Sequence, residues 1–341
     1  MADRHRTLWL ASRSQLLRIG AGFAVAVTLL AVLAAGTGLA ELRATLATAR
    51  LEWLVLACCS TVCCFAAWTR GWQLVLGIAD VEAPFPRLYV TYVTAMFANA
   101  VTPMGQAGGE PFIAYVLSRD TGASYEESLA SVVTGDLLNL IASFSLATTS
   151  LALLVWRVDL PDSIEPLAGA VPVVALCVLV GTLVGWRYQI AFGRSLERLV
   201  APIVRRLPVV TLEGLRERLF DLRAAFGRIA DEPRLLASVL GYSYLGWVLY
   251  VLPLYFAGRA FGVAIDPLVL FIAVSASMLA GYVPSPGGLG GVEAALTGLL
   301  VALVAVSSAE AYAITLTYRV ATYWLVIAGG GLAALAVLRR E

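Results

Sequence analysis

Six stretches of about twenty apolar residues, near 17–38, 52–76, 128–156, 167–187, 235–257 and 309–338, govern what this chain can fold into. A helix of about 20 such residues crosses a roughly 30 Å hydrocarbon core. Composition agrees: 60% of the 341 residues are hydrophobic and 14% charged, which excludes a soluble protein. The fold class read from the sequence is an all-α polytopic membrane protein.

Two further apolar regions, 87–118 and 268–306, are interrupted by Pro and Gly. The first break reads Pro103-Met-Gly105-Gln106-Ala-Gly108-Gly109-Glu110. The second reads Pro284-Ser-Pro286-Gly287-Gly288-Leu-Gly290-Gly291-Val-Glu293. Neither run continues as a plain helix, so both are read as re-entrant hairpins that return to the side they left. Arginine supports this, because cytoplasmic loops are enriched in positive charge. With two hairpins, 19 of the 24 arginines face the cytoplasm, four (Arg43, Arg50, Arg157, Arg259) lie outside and Arg319 lies within a span. Letting the first broken region cross completely would invert the bias. Six full spans, two hairpins and cytoplasmic termini in the cell membrane are therefore expected. Arg4, Arg6, Arg13 and Arg18 before the first apolar run imitate a signal peptide but are read as the flank of an uncleaved helix.

Much chemistry is excluded at once. The one histidine, His5, leaves no imidazole for a metal site or a catalytic triad. Cys58, Cys59, Cys63, Cys64 and Cys177 sit in apolar runs and read as packing residues, not as a disulfide framework or a thiolate metal site. A net charge of +1 recruits no nucleic acid. The Gly-rich breaks follow no strand and contain no Lys, so they are not nucleotide fingerprints. Neither a cofactor nor a metal is expected. Near 188–233, Leu212, Leu215, Leu219, Leu222, Phe226 and Ile229 recur at helical spacing with arginines between them. This amphipathic insertion either lies on the inner membrane surface or packs on the end of the bundle.

An internal repeat organises the rest. Adding 183 to Pro103, Gly105, Gly108 and Glu110 gives Pro286, Gly288, Gly291 and Glu293, and the same offset maps Pro84, Ser124, Glu127, Ala130 and Thr134 onto Pro267, Ser307, Glu310, Ala313 and Thr317. Three full crossings, an odd number, separate the copies, so 1–157 and 158–341 are expected to face opposite ways across the membrane. Inverted repeats with discontinuous helices mark alternating-access transporters.

Four ionisable residues fall where hydrocarbon would otherwise surround them: Glu110, Asp136, Glu293 and Arg319. Each costs about 2.5 to 3.5 kcal/mol at the centre of a span, so such groups normally have a function. Asp136 and Arg319 are themselves related by the offset, which allows them to pair. Glu110 and Glu293 each open a helical segment after a break, as capping carboxylates or as carriers of a cation or proton. The Gly amides of the breaks suit an anion such as phosphate. Asn99, Thr102, Gln106, Asn139, Ser285, Tyr318, Thr322 and Tyr323 add polar lining near the same level.

The segments Asn99–Tyr115, Pro284–Ala295 and Leu316–Trp324, in that order, resemble the lysylphosphatidylglycerol synthase transmembrane-region family of flippase-like membrane proteins. The resemblance implies a protein that moves a lipid headgroup across the bilayer. Those synthases append a soluble aminoacyl-transferase domain; here the chain stops at Leu338-Arg-Arg-Glu341, so no enzymatic lipid aminoacylation is expected. Many members also carry a Glu-Arg pair, with Asp three residues on, where this chain has Gly135, Asp136 and Asn139.

The expected function is that of a lipid translocase, with an anionic phospholipid or polyprenyl-linked lipid as partner. Asn99, Pro103, Gly105, Gln106, Gly108, Gly109, Glu110, Asp136, Pro286, Gly287, Gly288, Gly290, Gly291, Glu293, Tyr318, Arg319 and Tyr323 are its candidate binding residues. A secondary transporter of a small soluble solute would use the same architecture, and an integral-membrane lipid transferase is a third reading.

Overall fold

Apolar runs that close their backbone hydrogen bonds internally wind into helices, and the computed structural model of this chain is built that way. It describes residue 24 and residues 27–78, 81, 83–102, 110–157, 173, 176, 180, 212–282 and 285–338. Every element among these is helical. α1 (Val27–Thr37) and α2 (Leu39–Ala47) meet at 90°. They are followed by α3 (Leu51–Ile78), α4 (Phe85–Val101), α5 (Glu110–Thr121) and α6 (Tyr125–Arg157). The later helices are α7 (Leu212–Ala230), α8 (Pro233–Ala260), α9 (Pro267–Leu279), α10 (Gly291–Val304) and α11 (Ser308–Arg319), which continues through a π-helical turn (Val320–Trp324) into α12 (Leu325–Leu338).

Among the described residues, α3, α6, α8 and the run Ser308–Ala336 are each long and apolar enough to cross a membrane, and the bent α1–α2 pair makes a fifth if counted as one span. Their bounds follow the apolar runs closely. Most of the span expected at 167–187, residues 188–211 of the amphipathic insertion and most of the start of the first span lie outside the described residues. Exposed apolar side chains are abundant, among them Leu51, Val55, Val155, Leu332 and Trp156. Such a surface suits lipid, not water.

The 183-residue offset reappears in local structure. α5 ends at Thr121 and α10 at Val304; α6 begins at Tyr125 and α11 at Ser308. Gly122 and Ala305, which follow α5 and α10, both have positive φ, 80° and 57°. Each closing helix then opens on the same reciprocal cap. Ser124 Oγ accepts the Glu127 N–H at 3.1 Å while Glu127 Oε2 accepts the Ser124 N–H at 3.1 Å. Ser307 and Glu310 repeat this at 3.2 and 3.0 Å. Helices α3 and α8, ahead of the two breaks, are each 28 residues long.

The described chain forms two compact units. One contains residues 1–58, 94–109 and 253–336. Its core includes Leu42 of α2 against Tyr312 and Ala313 of α11, with Leu33, Ala34, Phe261 and Leu316 around them. The Tyr312 hydroxyl donates to the Leu30 carbonyl at 3.1 Å, tying α1 to α11. Thr297 of α10 donates to Thr315 of α11 at 3.2 Å, and each such bond between helices satisfies groups that lipid cannot.

The other unit contains residues 59–93, 110–252 and 337–341. Phe65, Trp68, Trp72, Tyr92, Trp247 and Tyr250 form its aromatic interior, with neighbouring ring centroids 4.7 to 6.3 Å apart. The indole N–H of Trp247 donates to the Asn139 carbonyl at 2.8 Å. In the described part of the amphipathic segment, α7 buries Ala225 and Ile229 against Val75, Ala130 and Val239. Arg228 reaches Glu127 Oε1 at 2.9 Å.

Candidate functional site

The second break is the best-defined polar feature of the described chain. α9 stops at Leu279, a 3-10 turn covers Ala280–Tyr282, and α10 starts at Gly291. Between them the backbone folds on itself. Ser285 Oγ donates to the Leu289 carbonyl at 2.8 Å, and the N–H groups of Gly288 and Leu289 donate to the carbonyls of Ser285 and Pro286 at 3.2 and 3.1 Å. The glycines are sterically required here. A Cβ on Gly287 would lie 2.2 Å from Tyr323 Cε2 and 3.2 Å from the Ala100 carbonyl oxygen; one on Gly290 would lie 2.6 Å from Leu29 Cβ. Both residues also have positive φ, 56° and 85°, where a side chain is strained.

Glu293 sits at the third position of α10 and is 1% exposed; Arg319, the last residue of α11, is 6% exposed. Glu293 Oε2 accepts the Gly290 N–H at 2.6 Å, the reach-back bond of a helix cap. Its other oxygen accepts from Arg319 Nε at 2.6 Å. Arg319 Nη2 then donates to the Gly287 carbonyl at 3.0 Å, and the guanidinium lies 4.5 Å from the centroid of the Tyr323 ring. The Tyr323 hydroxyl donates to the Ala100 carbonyl at 3.3 Å. One arginine thus ties the broken backbone, the cap of α10 and the α11 helix together.

The π-helical turn fixes this geometry. It follows Arg319 directly and contains Thr322 and Tyr323, both buried. Such bulges recur at functional sites because the extra residue per turn re-aims side chains. Arg319, which the repeat related to Asp136, has Glu293 as its carboxylate partner. Of the roles weighed for Glu293, the structure has the cap, and the second carboxylate oxygen pairs with the buried Arg319.

The remaining candidates are less gathered. Pro286, Gly288, Gly290 and Tyr318 are buried, while Gly287 and Gly291 are half-buried. The Gly288 and Gly290 amides are engaged by the break itself, and the charged group of the site is Arg319. In the first broken region Pro103, Gly105, Gln106, Gly108 and Gly109 lie outside the described residues. Asn99 is half-buried near the end of α4, and Thr102 donates to the Ala98 carbonyl at 2.7 Å. Glu110 opens α5, half-buried, and Asp136 is exposed on α6. Next to it, a Cβ on Gly135 would come within 3.0 Å of the Trp72 indole, which occupies the room a larger residue would need. Among the described residues no three His, Cys, Asp or Glu side chains gather as metal ligands.

Sequence reasoning missed the Ala100 carbonyl and the α1 contact at Leu29. Neither carries a sequence signal, since one is backbone and the other an ordinary leucine in an apolar run.

The family described as the lysylphosphatidylglycerol synthase TM region matches residues 19–330. The chain belongs to that family. Relatives include a UPF0104 membrane protein of Methanothermobacter thermautotrophicus, 28% identical over 275 residues and 75% of each chain. A UPF0104 membrane protein of Pyrococcus horikoshii is 24% identical over 320 residues, 91% of this chain and 95% of its own. Family membership and the apolar helices make this a polytopic membrane protein of the lysylphosphatidylglycerol synthase transmembrane-region family.

Proposed function

We propose that the chain is a lipid translocase that carries the headgroup of a phospholipid or lipid-linked compound through a polar site while the acyl or prenyl chains stay in lipid. The observation that carries this reading is the buried Arg319–Glu293 pair at a helix break, 2.6 Å apart. A membrane protein bears the cost of two such charges where they serve transport or recognition. Membership in a family named for a lipid-modifying synthase supports a lipid substrate.

The proposed architecture is six crossings and two re-entrant hairpins, arranged as inverted repeats in the cell membrane with both termini cytoplasmic. Helix lengths support it. α9 and α10 have 13 and 14 residues, which at 1.5 Å per residue reach only about two thirds of a 30 Å core. The matching bounds and caps of α5–α6 and α10–α11 support the repeat. The protein acts by moving a lipid and not by modifying it, with membrane lipids as its partners.

Photo-crosslinking tests the site. A phospholipid with a photoactivatable headgroup, irradiated with the chain in vesicles, should label peptides spanning Ser285–Glu293 and Tyr318–Tyr323, and R319A should lose that label. Labelling confined to the outer apolar faces of the helices would contradict the reading.

A further inference from the structure

We infer that the site takes an anionic phosphate group together with one proton, the phosphate replacing Glu293 on Arg319 and the proton going to Glu293. This rests on the headgroup reading and adds its charge class and its coupling ion.

Arg319 and Glu293 are each more than nine-tenths buried and together carry no net charge. The guanidinium is a planar fork suited to carboxylate or phosphate oxygens, and Glu293 Oε1 occupies its Nε. An incoming phosphate that engages the fork through Nε must therefore displace that oxygen.

The displaced carboxylate has nowhere to go. Its second oxygen is held at 2.6 Å by the Gly290 N–H, at the start of a helix whose entry is wedged against Leu29. Glu293 is thus tethered beside the site and does not swing out to water. If it stayed ionised, two anions would face one buried cation, and a buried unpaired charge is neutralised by proton uptake instead.

Among the described residues no second carboxylate is seen paired with Arg319. The elements packed around Glu293 bring, besides Arg319, Tyr323, whose hydroxyl donates to Ala100, Tyr312, whose hydroxyl donates to Leu30, Glu310, whose carboxylate accepts the Ser307 N–H, and the tyrosines Tyr318 and Tyr282. Helices α1, α9 and residues 94–101 of α4 contribute no ionisable side chain. On α2, Glu41 and Arg43 are exposed.

The step balances without covalent chemistry. The carboxylate gains a proton and becomes a carboxylic acid, the phosphate keeps its negative charge, and the guanidinium keeps its positive one. The site is neutral before and after. Because the loaded form holds one more proton than the empty form, anion binding strengthens as pH falls, by up to about tenfold per pH unit.

The test uses the full chain in phosphatidylcholine vesicles containing fluorescent phosphatidylglycerol, with an external quencher, over a pH series and with a pH-sensitive dye. Headgroup exchange should accelerate as pH falls, with proton movement accompanying it and no need for sodium. E293Q, which keeps an acceptor for Gly290 and mimics the protonated acid, should exchange at a rate that no longer varies with pH. A pH-independent parent, or an E293Q variant with the parental slope, overturns proton coupling and leaves translocation standing. Should the variant not fold, the parent's slope and dye signal decide alone. A parent no faster than empty vesicles with fluorescent phosphatidylglycerol or phosphatidylcholine overturns the translocation reading itself.

Discussion

Gly122 and Ala305, 183 positions apart, each close a helix with φ in the left-handed region, 80° and 57°. One of the two positions has the residue this conformation favours and the other does not. Left-handed geometry costs an alanine about 1 kcal/mol or more relative to glycine. Ala305→Gly should therefore stabilise the protein by about 1 kcal/mol, and Gly122→Ala should destabilise it by a similar amount. Thermal unfolding midpoints in detergent check both; opposite signs are the expected result.

The buried pair makes a second prediction. Removing one partner leaves an uncompensated buried charge, worth about 3 to 5 kcal/mol of destabilisation, whereas replacing both with apolar residues of similar volume is often neutral. R319M alone should unfold well below the parent, and R319M combined with E293M should recover most of that loss. Transport should fail in both. Recovered stability with lost transport separates the site's function from its structural role.

The break makes a third. Gly290→Ala combines a positive φ with a 2.6 Å approach to Leu29, and should cost about 1 to 3 kcal/mol. Gly287→Ala collides with the Tyr323 ring, where its Cβ would lie 2.2 Å from Cε2. Combining it with Y323A removes that collision, so the double variant should unfold at a higher temperature than Gly287→Ala alone.

The contact of α7 gives a fourth. Arg228 and Glu127 are partly exposed in their bridge, with side chains 49% and 25% accessible, so R228A should cost under about 1 kcal/mol and lose most of its effect in high salt. Ile229→Asp buries a charge against Val75 and Val239 and should release the helix. Hydrogen exchange over Leu212–Ala230 distinguishes the two.

How much of this was legible in the sequence differs from residue to residue. Apolar length alone placed α3, α6, α8 and Ser308–Ala336 within a few residues, because burial in lipid demands long uninterrupted runs. The second Pro/Gly break was legible because it obeys a local rule, and the offset matched Ser124 and Glu127 to Ser307 and Glu310 without showing that each pair caps a helix. The partner of Arg319 was not. The offset pointed to Asp136, but the partner is set by the return of α10 onto α11, which brings Glu293 26 residues back along the chain to the guanidinium. The π-helical turn that aims Tyr323 has no signature in Val-Ala-Thr-Tyr-Trp. The docking of α7 turned on Ala225 and Ile229 finding Val75, Ala130 and Val239, a match that an amphipathic pattern alone does not specify.

Headgroup exchange in reconstituted vesicles decides whether the chain moves lipid through the Arg319 site. Vesicles with the parent chain and a fluorescent-headgroup phospholipid should expose inner-leaflet label to an external quencher far faster than empty vesicles, and R319A should return to the empty-vesicle rate. Equal rates for parent and empty vesicles across several lipid classes, or an R319A variant that folds and exchanges as fast as the parent, would contradict the account.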